Sequence, residues 1–534
     1  MSDHGFNTVG ELFEARVRQY PEKQFLFSES SGRVFSYGEF DKAINHAAAL
    51  LDSLGARKGE RVSLLLTNSV EYLIFYFACF KLGAWAGPVN ALLKPQEVAF
   101  IIGNSESSIV VTQPDLYSKL TRTPSLRSCV LIDDGQSTEI PESELSGSTV
   151  RYLLPAPEQL AAFHAQPDVD AAVTRDSEAV IIYTSGTTGK PKGVLLTHGN
   201  LLANAEQISD WLGLAPGDRS LLIMPLFHVN ALMTTCLAAV WAGASVVLAP
   251  RFSASRHWET ISTYGVTYFG SVATMLSLLN QTYPEGVPAG LDVSNLRFAL
   301  CGSAPVPVEV MKRFESLFHC TVIEGYGLSE STCRSTFNPT DRRRRVGSVG
   351  LPIGNEVKIF DDEDRELGPN DVGEIVLRGP NIMKGYYHNE AATREAFRSG
   401  WFHTGDLGYR DEDGFFYIVD RKSDMIIRGG ENIYPREIDE VLYQHPKVKD
   451  AATIGVTDAL FGEEVKSYVV LREGGQATEQ EMLDFCRERL ADFKCPKSIQ
   501  FLEDIPKGPT GKLLKRELAE LERNPEGERE AAEK

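Results

Sequence analysis

Apolar and polar positions along the chain alternate between short apolar runs and longer stretches with helical spacing. Residues 61–66 have the pattern of a strand, residues 70–82 that of a helix, and residues 84–89 that of a second strand. The same order returns over three further segments, 220–224, 231–241 and 244–248. Repeated strand–helix–strand units predict parallel sheets covered by helices.

The pattern changes near residue 355, where β-rich pieces alternate with Gly and Asp. Residues 374–377 and 414–419 are two such pieces, and they predict a small barrel or a distorted β subdomain near 355–420. The charged segment Asp-Arg-Lys-Ser-Asp at 420–424 then indicates a joint. Three periodic segments follow it and predict a compact α+β unit: 448–456, 464–471 and 480–490.

The expected fold is therefore α/β. A large N-terminal domain of βαβ-built sheets plus the β subdomain covers 1–420, and a small α+β C-terminal domain covers 424–534. Residues 421–423 form the hinge between them. A length of 534 residues is consistent with two to four domains.

The segment 183–193, Tyr-Thr-Ser-Gly-Thr-Thr-Gly-Lys-Pro-Lys-Gly, is the strongest chemical signal. Glycines let backbone N–H groups face an anion at close range, while hydroxyls and ammonium groups add further donors, so the loop predicts a phosphate cradle between two strands. The spacing differs from that of a Walker loop. A flexible surface turn is the alternative. The candidate phosphate ligands are Thr184, Ser185, Gly186, Thr187, Thr188, Gly189, Lys190 and Lys192.

Composition excludes some classes of function. The chain has 54 Lys and Arg residues and 73 Asp and Glu residues, so its formal net charge is 54 − 73 = −19, which disfavours a nucleic-acid partner. The eight cysteines contain no CxxC pair, so we expect neither a zinc site nor a disulfide framework. We find no signal or transit peptide and no peroxisomal address, and the longest apolar run, 73–80, is too short to span a membrane. These features predict a cytoplasmic protein with a frayed, charged tail from about residue 522.

Eight further motifs accompany the loop in a fixed order: 225–228 (Pro-Leu-Phe-His), 302–305 (Gly-Ser-Ala-Pro), 326–330 (Tyr-Gly-Leu-Ser-Glu), 373–379, 401–406, 420–421, 429–432 (Gly-Gly-Glu-Asn) and 509–512 (Pro-Thr-Gly-Lys). Together they resemble the adenylate-forming superfamily of acyl-CoA synthetases, beetle luciferases and peptide-synthetase adenylation domains. The resemblance covers nearly the whole chain. It implies a large N-terminal domain and a small mobile C-terminal domain.

The resemblance also implies an ATP site. Glu330 would bind Mg²⁺, Tyr326 would stack on adenine, and Asp406 would accept hydrogen bonds from the ribose hydroxyls with Arg421 nearby. Small residues at 302–305 would allow a close approach to the nucleotide. The remaining implied ATP ligands are Gly302, Ser303, Ala304, Pro305, Gly327 and Ser329.

Lys512 is the expected catalytic residue. The matching lysine of the superfamily bridges the carboxylate and α-phosphate oxygens, and its charge would act most strongly where negative charge develops in the transition state. A single lysine is more often a solvated surface residue, and that interpretation is favoured for Lys507 and Lys515.

The implied acceptor is coenzyme A. Gly429, Gly430 and Glu431 resemble the loop beside the pantetheine tunnel of acyl-CoA synthetases, where glycines make room for a thin thiol arm. Ser423 holds the expected hinge position, although Asp or Lys is usual there. His228 matches the aromatic gate near the reacting carboxylate.

The acid is poorly determined by sequence. Candidate pocket residues are His228, Phe269, Gly270, Ala273, Thr332 and Arg334. The glycine and alanine could leave space for an alicyclic, aryl or fatty chain. Arg334 could neutralise a second carboxylate, but the sequence favours a side chain that faces solvent or a structural acid. The arginine run 342–345 is interpreted as a solvated loop rather than a contact to the CoA phosphates.

The resemblance therefore implies a two-step carboxylate:CoA ligase. Acid and ATP would give acyl-AMP and pyrophosphate, and the CoA thiolate would then give acyl-CoA and AMP. The expected small-molecule partners are ATP, Mg²⁺, CoA and a carboxylic acid. One alternative is an adenylate-forming enzyme with another acceptor, such as a carrier protein or the oxidative chemistry of luciferases. The other is a non-catalytic nucleotide sensor.

Overall fold

The computed structural model of the chain describes residues 5–133, 148–164, 172–184, 191–303, 306–508 and 513–523. These residues form the following strands: β1 (Gln24–Ser28), β2 (Val34–Ser36), β3 (Arg61–Leu65), β4 (Trp85–Pro88), β5 (Ile109–Thr112), β6 (Ser128–Ile132), β7 (Ser148–Tyr152), β8 (Glu178–Thr184), β9 (Lys192–Thr197), β10 (Arg219–Leu222), β11 (Ser245–Leu248), β12 (Tyr268–Ser271), β13 (Phe298–Cys301), β14 (Thr321–Tyr326), β15 (Thr336–Phe337), β16 (Leu351–Pro352), β17 (Glu356–Phe360), β18 (Gly373–Arg378), β19 (Gly385–Tyr386), β20 (Phe397–Arg398), β21 (Trp401–Arg410), β22 (Phe416–Arg421), β23 (Ile426–Arg428), β24 (Glu431–Ile433), β25 (Val448–Asp458), β26 (Gly462–Leu471) and β27 (Ser498–Phe501).

The α-helices are α1 (Val9–Gln19), α2 (Tyr37–Ser53), α3 (Val70–Leu82), α4 (Pro95–Asn104), α5 (Pro114–Tyr117), α6 (Pro157–Ala162), α7 (His198–Leu212), α8 (Ala238–Ala242), α9 (His257–Tyr264), α10 (Ala273–Thr282), α11 (Val308–Phe318), α12 (Glu390–Ala396), α13 (Pro435–Tyr443), α14 (Glu479–Arg487) and α15 (Lys515–Arg523). Short 3₁₀ turns occupy Ala254–Arg256, Ser329–Ser331 and Asp492–Lys494. A π-helix occupies Ala231–Leu237.

Two large sheets form the N-terminal part of the molecule. One has nine strands in the order β16-β15-β14-β13-β12-β10-β11-β1-β2, and the other has eight in the order β19-β9-β8-β4-β3-β5-β6-β7. Strand β3 pairs in parallel with β4, and β10 pairs in parallel with β11. The predicted α/β class and its two βαβ units are therefore confirmed.

Helix α3 connects β3 to β4 and is buried on every side. Twelve of its thirteen residues are buried, because its sequence is apolar all round rather than on one stripe. It contains the apolar run 73–80 noted above, so that run is a core helix. Across the described ranges, no helix combines the length and apolar character that crossing a bilayer requires.

The connection between β10 and β11 begins as the π-helix Ala231–Leu237 and continues as α8. Periodicity correctly predicted a helix here but could not distinguish its first two turns from α-helix. Single π-turns widen the backbone and are frequent at functional sites. This one directly follows the Pro-Leu-Phe-His segment at 225–228.

The β-rich segment after residue 355 forms a five-stranded antiparallel sheet of β17, β18, β20, β21 and β22. Strand β19 lies in the same stretch of sequence but pairs with β9 of the eight-stranded sheet. The predicted β subdomain is thus interrupted by one short strand that belongs to the larger part of the molecule.

The last sheet combines the hairpin β25–β26 with β23, β24 and β27, and α13 and α14 bury Ile438, Leu442 and Met482 against it. The three segments predicted here are confirmed. Helix α15 continues through Arg523, beyond the predicted start of the tail, and Glu522 in it contacts Lys466. The domain boundaries themselves stay a prediction.

The joint between the β subdomain and the C-terminal unit is made by hydrogen bonds. Asp420 Oδ2 accepts from the backbone N–H of Arg436 at 2.8 Å, in the first turn of α13. The Arg436 guanidinium donates to the Ile418 carbonyl at 2.7 Å. A carboxylate at a helix N-terminus satisfies an otherwise unpaired donor, so Asp420 fixes the orientation of α13.

Candidate active site

Strands β8 and β9 form the hairpin that carries the predicted phosphate loop. Thr184 lies opposite Lys192 at the end of this hairpin from which the connecting loop leaves. The predicted ligands at 185–190 lie outside the described residues. The Lys192 ammonium lies 5.2 Å from the centre of the Tyr386 ring, within the range of a cation–π contact. The strands therefore flank the loop as predicted.

Glu330 lies in the 3₁₀ turn Ser329–Ser331, and its carboxylate contacts β19. Tyr386 donates its hydroxyl hydrogen to Glu330 Oε1 at 3.0 Å. Burial raises the pKa of Glu330 above its usual value, and the positive charge of Arg421 opposes that rise. Within the part of the chain that the structure describes, no Lys or Arg nitrogen lies within 4.0 Å of this carboxylate. Glu330 is therefore a half-buried acid that a nearby cation would stabilise in its charged form.

Asp406 is held by two partners. The Tyr326 hydroxyl donates to Oδ2 at 2.7 Å, and Arg421 Nε lies 2.8 Å from Oδ1. The pairing of β21 with β22 sets this contact, because Asp406 and Arg421 are opposite in the register. Asp406 is 5% exposed. Burial, and then the charge of Asp406, raises the pKa of Tyr326 well above its usual value, so the phenol stays a donor.

These contacts join into one polar surface. Arg421 acts electrostatically on both Asp406 and Glu330, and Asp406 in turn raises the pKa of Arg421. Lys192, through Tyr386, extends the surface to the base of the phosphate loop. On this polar surface, the Asp406 carboxylate can accept hydrogen bonds from hydroxyl groups, and the Glu330 carboxylate is suited to a hard cation.

The turn after β13 is tightly packed. A Cβ built on Gly302 would lie 2.4 Å from Arg334 Nη1 and 2.6 Å from the Gly325 carbonyl oxygen, so only glycine fits. The sequence predicted that small residues here admit a nucleotide; in the structure, Gly302 is small because a guanidinium packs against it. Ser303 has a φ of 69° and its hydroxyl accepts from Asn230 Nδ2 at 3.1 Å. Ala304 and Pro305 lie outside the described residues.

Gly327 also faces a close backbone approach. A Cβ there would lie 2.0 Å from the Cys333 carbonyl oxygen. The segment 327–334 therefore folds back on itself immediately after Tyr326, and this fold aligns Glu330 with β19.

The predicted acyl-pocket residues are only partly brought together. His228 precedes the π-helix, and a Cβ on Gly270 would lie 3.4 Å from Thr235 Cγ2 in that helix. Ala273 begins α10. Phe269, on the opposite face of β12 from Gly270, packs instead against His257 and Phe314 in a second hydrophobic core.

Thr332 and Arg334 are both buried. Thr332 adopts a φ of 66°, which is strained for a β-branched residue, and its hydroxyl donates to the Asn381 carbonyl at 2.6 Å. Arg334 is 2% exposed, so the expectation that it faces solvent is wrong. The physical reason is Gly302, whose missing side chain leaves a gap that the guanidinium fills, while the Gly325 carbonyl accepts a hydrogen bond from Arg334 Nη1.

The arginine run 342–345 is not a solvated loop throughout. Arg344 is largely buried and pairs with Glu315 at 2.9 Å, and Arg345 pairs with Asp411. These ion pairs tie the segment to α11 and to the β21–β22 connection.

Gly429 and Gly430 form the two-residue turn between β23 and β24, with φ values of 59° and 92°. Hairpin turns of this kind need positive φ at both positions. A Cβ on Gly430 would meet no atom within 4 Å, and Glu431 is exposed, so the turn borders open space in this structure.

Ser423 is exposed, and its hydroxyl donates to Asp424 Oδ1 at 2.9 Å. Lys512 lies outside the described residues, but the backbone bridge between Lys507 and Leu513 fixes the two ends of its loop.

The two neighbouring lysines are not solvated, contrary to expectation. Lys507 pairs with Asp450 at 2.8 Å, and Lys515 pairs with Asp439 at 2.9 Å. Both ammonium groups form ion pairs with carboxylates of the C-terminal unit. These pairs fix the described residues on either side of Lys512.

Sequence reasoning missed Tyr386 and the asparagines at 204, 230 and 381. Tyr386 belongs to the segment Gly-Pro-Asn-Ile-Met-Lys-Gly-Tyr at 379–386, which directly follows a recognised motif and could have drawn attention to it. Asn204 and Asn381 bond backbone groups and Asn230 donates to the Ser303 hydroxyl, and no local sequence signal reveals such contacts.

Comparison with known proteins identifies the family. The family model described as AMP-binding enzyme matches residues 13–387, and that described as AMP-binding enzyme C-terminal domain matches residues 437–512. A sulfoacetate–CoA ligase from Cupriavidus necator is 37% identical over 96% of this chain and 97% of its own length. A long-chain-fatty-acid–CoA ligase from Bacillus subtilis is 35% identical over 96% and 94%. The crystal structure of ATP-bound MatB from Rhodopseudomonas palustris matches with a TM-score of 0.84 and 28% identity over 97% of this chain and 99% of that one.

The chain therefore belongs to the AMP-binding enzyme family of the adenylate-forming superfamily. Within that superfamily its relatives are CoA ligases, and it falls in the acyl-CoA synthetase branch of AMP-forming acid–thiol ligases.

Proposed function

We propose that the protein joins a carboxylic acid to coenzyme A in two steps. ATP first activates the acid as acyl-AMP with release of pyrophosphate, and the CoA thiolate then displaces AMP. The observation that carries this proposal is the contact of Tyr326 and Arg421 with one carboxylate, Asp406, beside the half-buried acid Glu330. A nucleotide needs hydroxyl acceptors and cation ligands on adjacent sides, and this surface offers both.

In the first step, Asp406 would accept hydrogen bonds from the ribose hydroxyls. Tyr326 and Arg421 hold the carboxylate in position, so its orientation is fixed before the nucleotide arrives. Thr184 and Lys192 would contact the phosphates together with the intervening loop. Their position at the loop end of the β8–β9 hairpin supports this role.

Glu330 fits a Mg²⁺ ligand. It is a half-buried carboxylate with a raised pKa, it accepts a hydrogen bond from the neutral hydroxyl of Tyr386, and a hard dication prefers such an oxygen donor. A bound Mg²⁺ would neutralise phosphate charge while the acid attacks. The protein would keep the Glu330 carboxylate ionised and correctly oriented, and the hydrogen bond from Tyr386 in β19 serves this purpose.

Lys512 would stabilise the charge that develops as the carboxylate attacks the α-phosphorus. On either side of it, Lys507 and Lys515 form ion pairs within the C-terminal unit, and these pairs support a role for Lys512 that depends on the position of that unit. The second step would require that unit to rotate about residues 421–423 and bring Gly429 and Gly430 to the thiol. The open space around Gly430 is consistent with a surface that is covered only in the second conformation.

The acid is not determined by likeness, because relatives of similar length and identity are named for sulfoacetate and for long-chain fatty acids. We propose a reducing compartment, the cytoplasm. All eight cysteines are free thiols, and seven of them are buried.

The half-reactions test the proposal. Wild-type enzyme with ATP and a panel of carboxylic acids should release pyrophosphate, and addition of CoA should yield thioester and AMP. Adenylate formation without transfer to CoA would indicate another acceptor, while no pyrophosphate exchange with any acid would contradict the proposal.

Gly430→Leu separates the two steps. The added side chain should obstruct the thiol path, so a single turnover should release pyrophosphate normally while acyl-CoA formation falls at least ~10²-fold and acyl-AMP accumulates. Because Gly430 has a positive φ, any side chain also strains the turn. Gly474→Leu is the matched control, since Gly474 has a φ of 73°, lies in the same unit and also borders open space. Equal losses in both variants would attribute the defect to strain.

A further inference from the structure

Arg334 is a fully buried cation with few partners. Its Nη1 donates to the Gly325 carbonyl at 3.2 Å, and its guanidinium lies 5.3 Å from the centre of the Phe337 ring. Nε is buried without a hydrogen-bond acceptor. Over the described ranges, no carboxylate lies within the 4.0 Å of an ion pair with it. A guanidinium has five donors, and leaving them unpaired in the interior is costly.

The candidate for a counter-charge is Glu324, which lies in β14 immediately before Gly325. Glu324 is itself buried, and burial raises its pKa to about 7, with the charge of Arg436 opposing this rise more than that of Arg334. Its Oε2 also lacks a hydrogen-bond partner. Glu324 and Arg334 therefore lie near each other without forming an ion pair, and neither satisfies the other.

The guanidinium lies beside the predicted acyl pocket. Its Nη atoms are packed against Gly302, at the start of the turn in which Ser303 bonds to Asn230. The residue before it, Cys333, is 3.4 Å from Thr234 of the π-helix through their Sγ and Oγ1 atoms. This helix follows His228, the expected gate for the reacting carboxylate. Arg334 thus lies on the wall that joins the nucleotide turn to the acid-binding side.

We propose that Arg334 binds a second anionic group on the acid, a carboxylate or sulfonate at the end remote from the reacting carboxylate. This inference rests on the proposed function. An oxyanion accepts two parallel hydrogen bonds from a guanidinium, and Nε is a donor that the protein leaves unpaired. The preferred acids are then those with a second negative charge.

The test compares acids that differ only at the remote end. Butanedioate and 3-sulfopropanoate are each measured against the monocarboxylic acid of matching length, which is uncharged at the remote end. The assay is pyrophosphate release in the presence of ATP. Wild-type kcat/KM should favour the doubly charged acids by about 10²-fold, since a site built for a polar group rejects analogues that lack it. Equal or better use of the uncharged acids would overturn the inference and leave the ligase proposal standing. Absence of release with every acid would defeat both.

Variants of Arg334 identify the group responsible. Arg334→Met keeps much of the volume and removes the charge, so kcat/KM should fall about 10²-fold for the doubly charged acids and stay unchanged or rise for the uncharged ones. Arg334→Lys keeps the positive charge but loses the planar pair of donors of the guanidinium, so it should retain part of the preference for doubly charged acids. A uniform loss across all acids would show a structural role and overturn the inference.

Arg344→Met is the matched control. Arg344 is also largely buried, but Glu315 pairs with it at 2.9 Å, away from the turn at 302–303. This variant should leave the ratio of kcat/KM values between the two acid classes as in wild type; a change as large as that in Arg334→Met would count against the assignment. If Arg334→Met fails to fold, the wild-type panel and Arg334→Lys still decide the matter.

Discussion

Replacement of Asp406 by Asn tests whether this carboxylate organises the nucleotide site. The change keeps the shape of the side chain but removes the charge that faces Arg421 Nε at 2.8 Å. The Tyr326 hydroxyl can still donate to an amide oxygen, so one contact survives in weaker form. The perturbation is therefore confined to charge.

The magnitude follows from burial. A hydrogen bond to a charged group contributes about 1.5–3 kcal/mol and a neutral one about 1 kcal/mol, so the Tyr326 contact should lose roughly 1 kcal/mol. The Arg421 side chain is 40% exposed, and solvent screening limits its share to about 1 kcal/mol. The free energy of unfolding should thus fall by about 1–3 kcal/mol. The apparent KM for ATP should rise about 10- to 100-fold, because both ribose hydroxyls lose a charged acceptor.

Urea unfolding measures the free energy of unfolding, and initial-rate kinetics measure the apparent KM for ATP. All five tryptophans lie before residue 402, so tryptophan fluorescence reports on the N-terminal part of the chain. Asp341→Asn is the control, because its pair with Arg343 is exposed on both sides and is screened by solvent, so its loss should leave the free energy of unfolding nearly unchanged. If Asp406→Asn raises the KM for ATP no more than this control does, Asp406 is not a nucleotide ligand.

Three further outcomes are expected. Glu330→Gln should raise the Mg²⁺ concentration needed for half-maximal pyrophosphate release at least ~10-fold, and unchanged magnesium dependence would remove Glu330 from the ligands. Lys512→Ala should slow adenylation at least ~10²-fold while sparing thioester formation from preformed acyl-AMP, with the exposed Lys497→Ala as control; equal losses in both steps would refute the role. The raised pKa of Glu324, about 7, means that the native state holds a proton the unfolded state has released, so wild-type unfolding free energy should fall as pH rises from about 4.5 through 7. Glu324→Gln should remove that slope and stabilise the protein by about 1–3 kcal/mol at pH 8, and an identical pH profile for the variant would contradict the assignment.

The fold could be predicted from sequence where periodicity and burial agree. Helix α3 and strands β3 and β4 followed from apolar spacing alone, because each element is long enough for its period to be read. Strand β19 has only two residues, and its partner β9 lies far away in sequence. Nothing local to residues 385–386 specifies that pairing, so the strand and the position of Tyr386 were missed.

The candidate site was predictable in its residue types but not in its contacts. Asp406 and Arg421 lie in two separate motifs, and only the register of β21 with β22 makes them partners. Arg334 was misjudged for a related reason. A single arginine is usually exposed, and its burial here depends on Gly302 and Gly325, which come together only when β13 pairs with β14.

The segment 331–334 connects the two functions assigned to this region. Thr332 is held at a φ of 66°, which costs about 1–3 kcal/mol. Asn381 compensates by accepting from the Thr332 hydroxyl at 2.6 Å through its carbonyl and donating to the Ser331 carbonyl at 3.0 Å. Asn204 bonds both backbone groups of Arg334, at 3.1 and 2.7 Å. Four bonds of about 1 kcal/mol each are enough to offset the strain.

This strained segment explains why the side chains of Glu330 and Arg334 point to different places although they are four residues apart. A regular helix would place residues i and i+4 on the same side, one above the other. The positive φ at Thr332 breaks that relation and directs Glu330 toward Tyr386 while Arg334 packs beneath Gly302. The proposed cation ligand and the proposed anion-binding guanidinium are thereby kept apart, so Arg334 would not compete with a cation for Glu330.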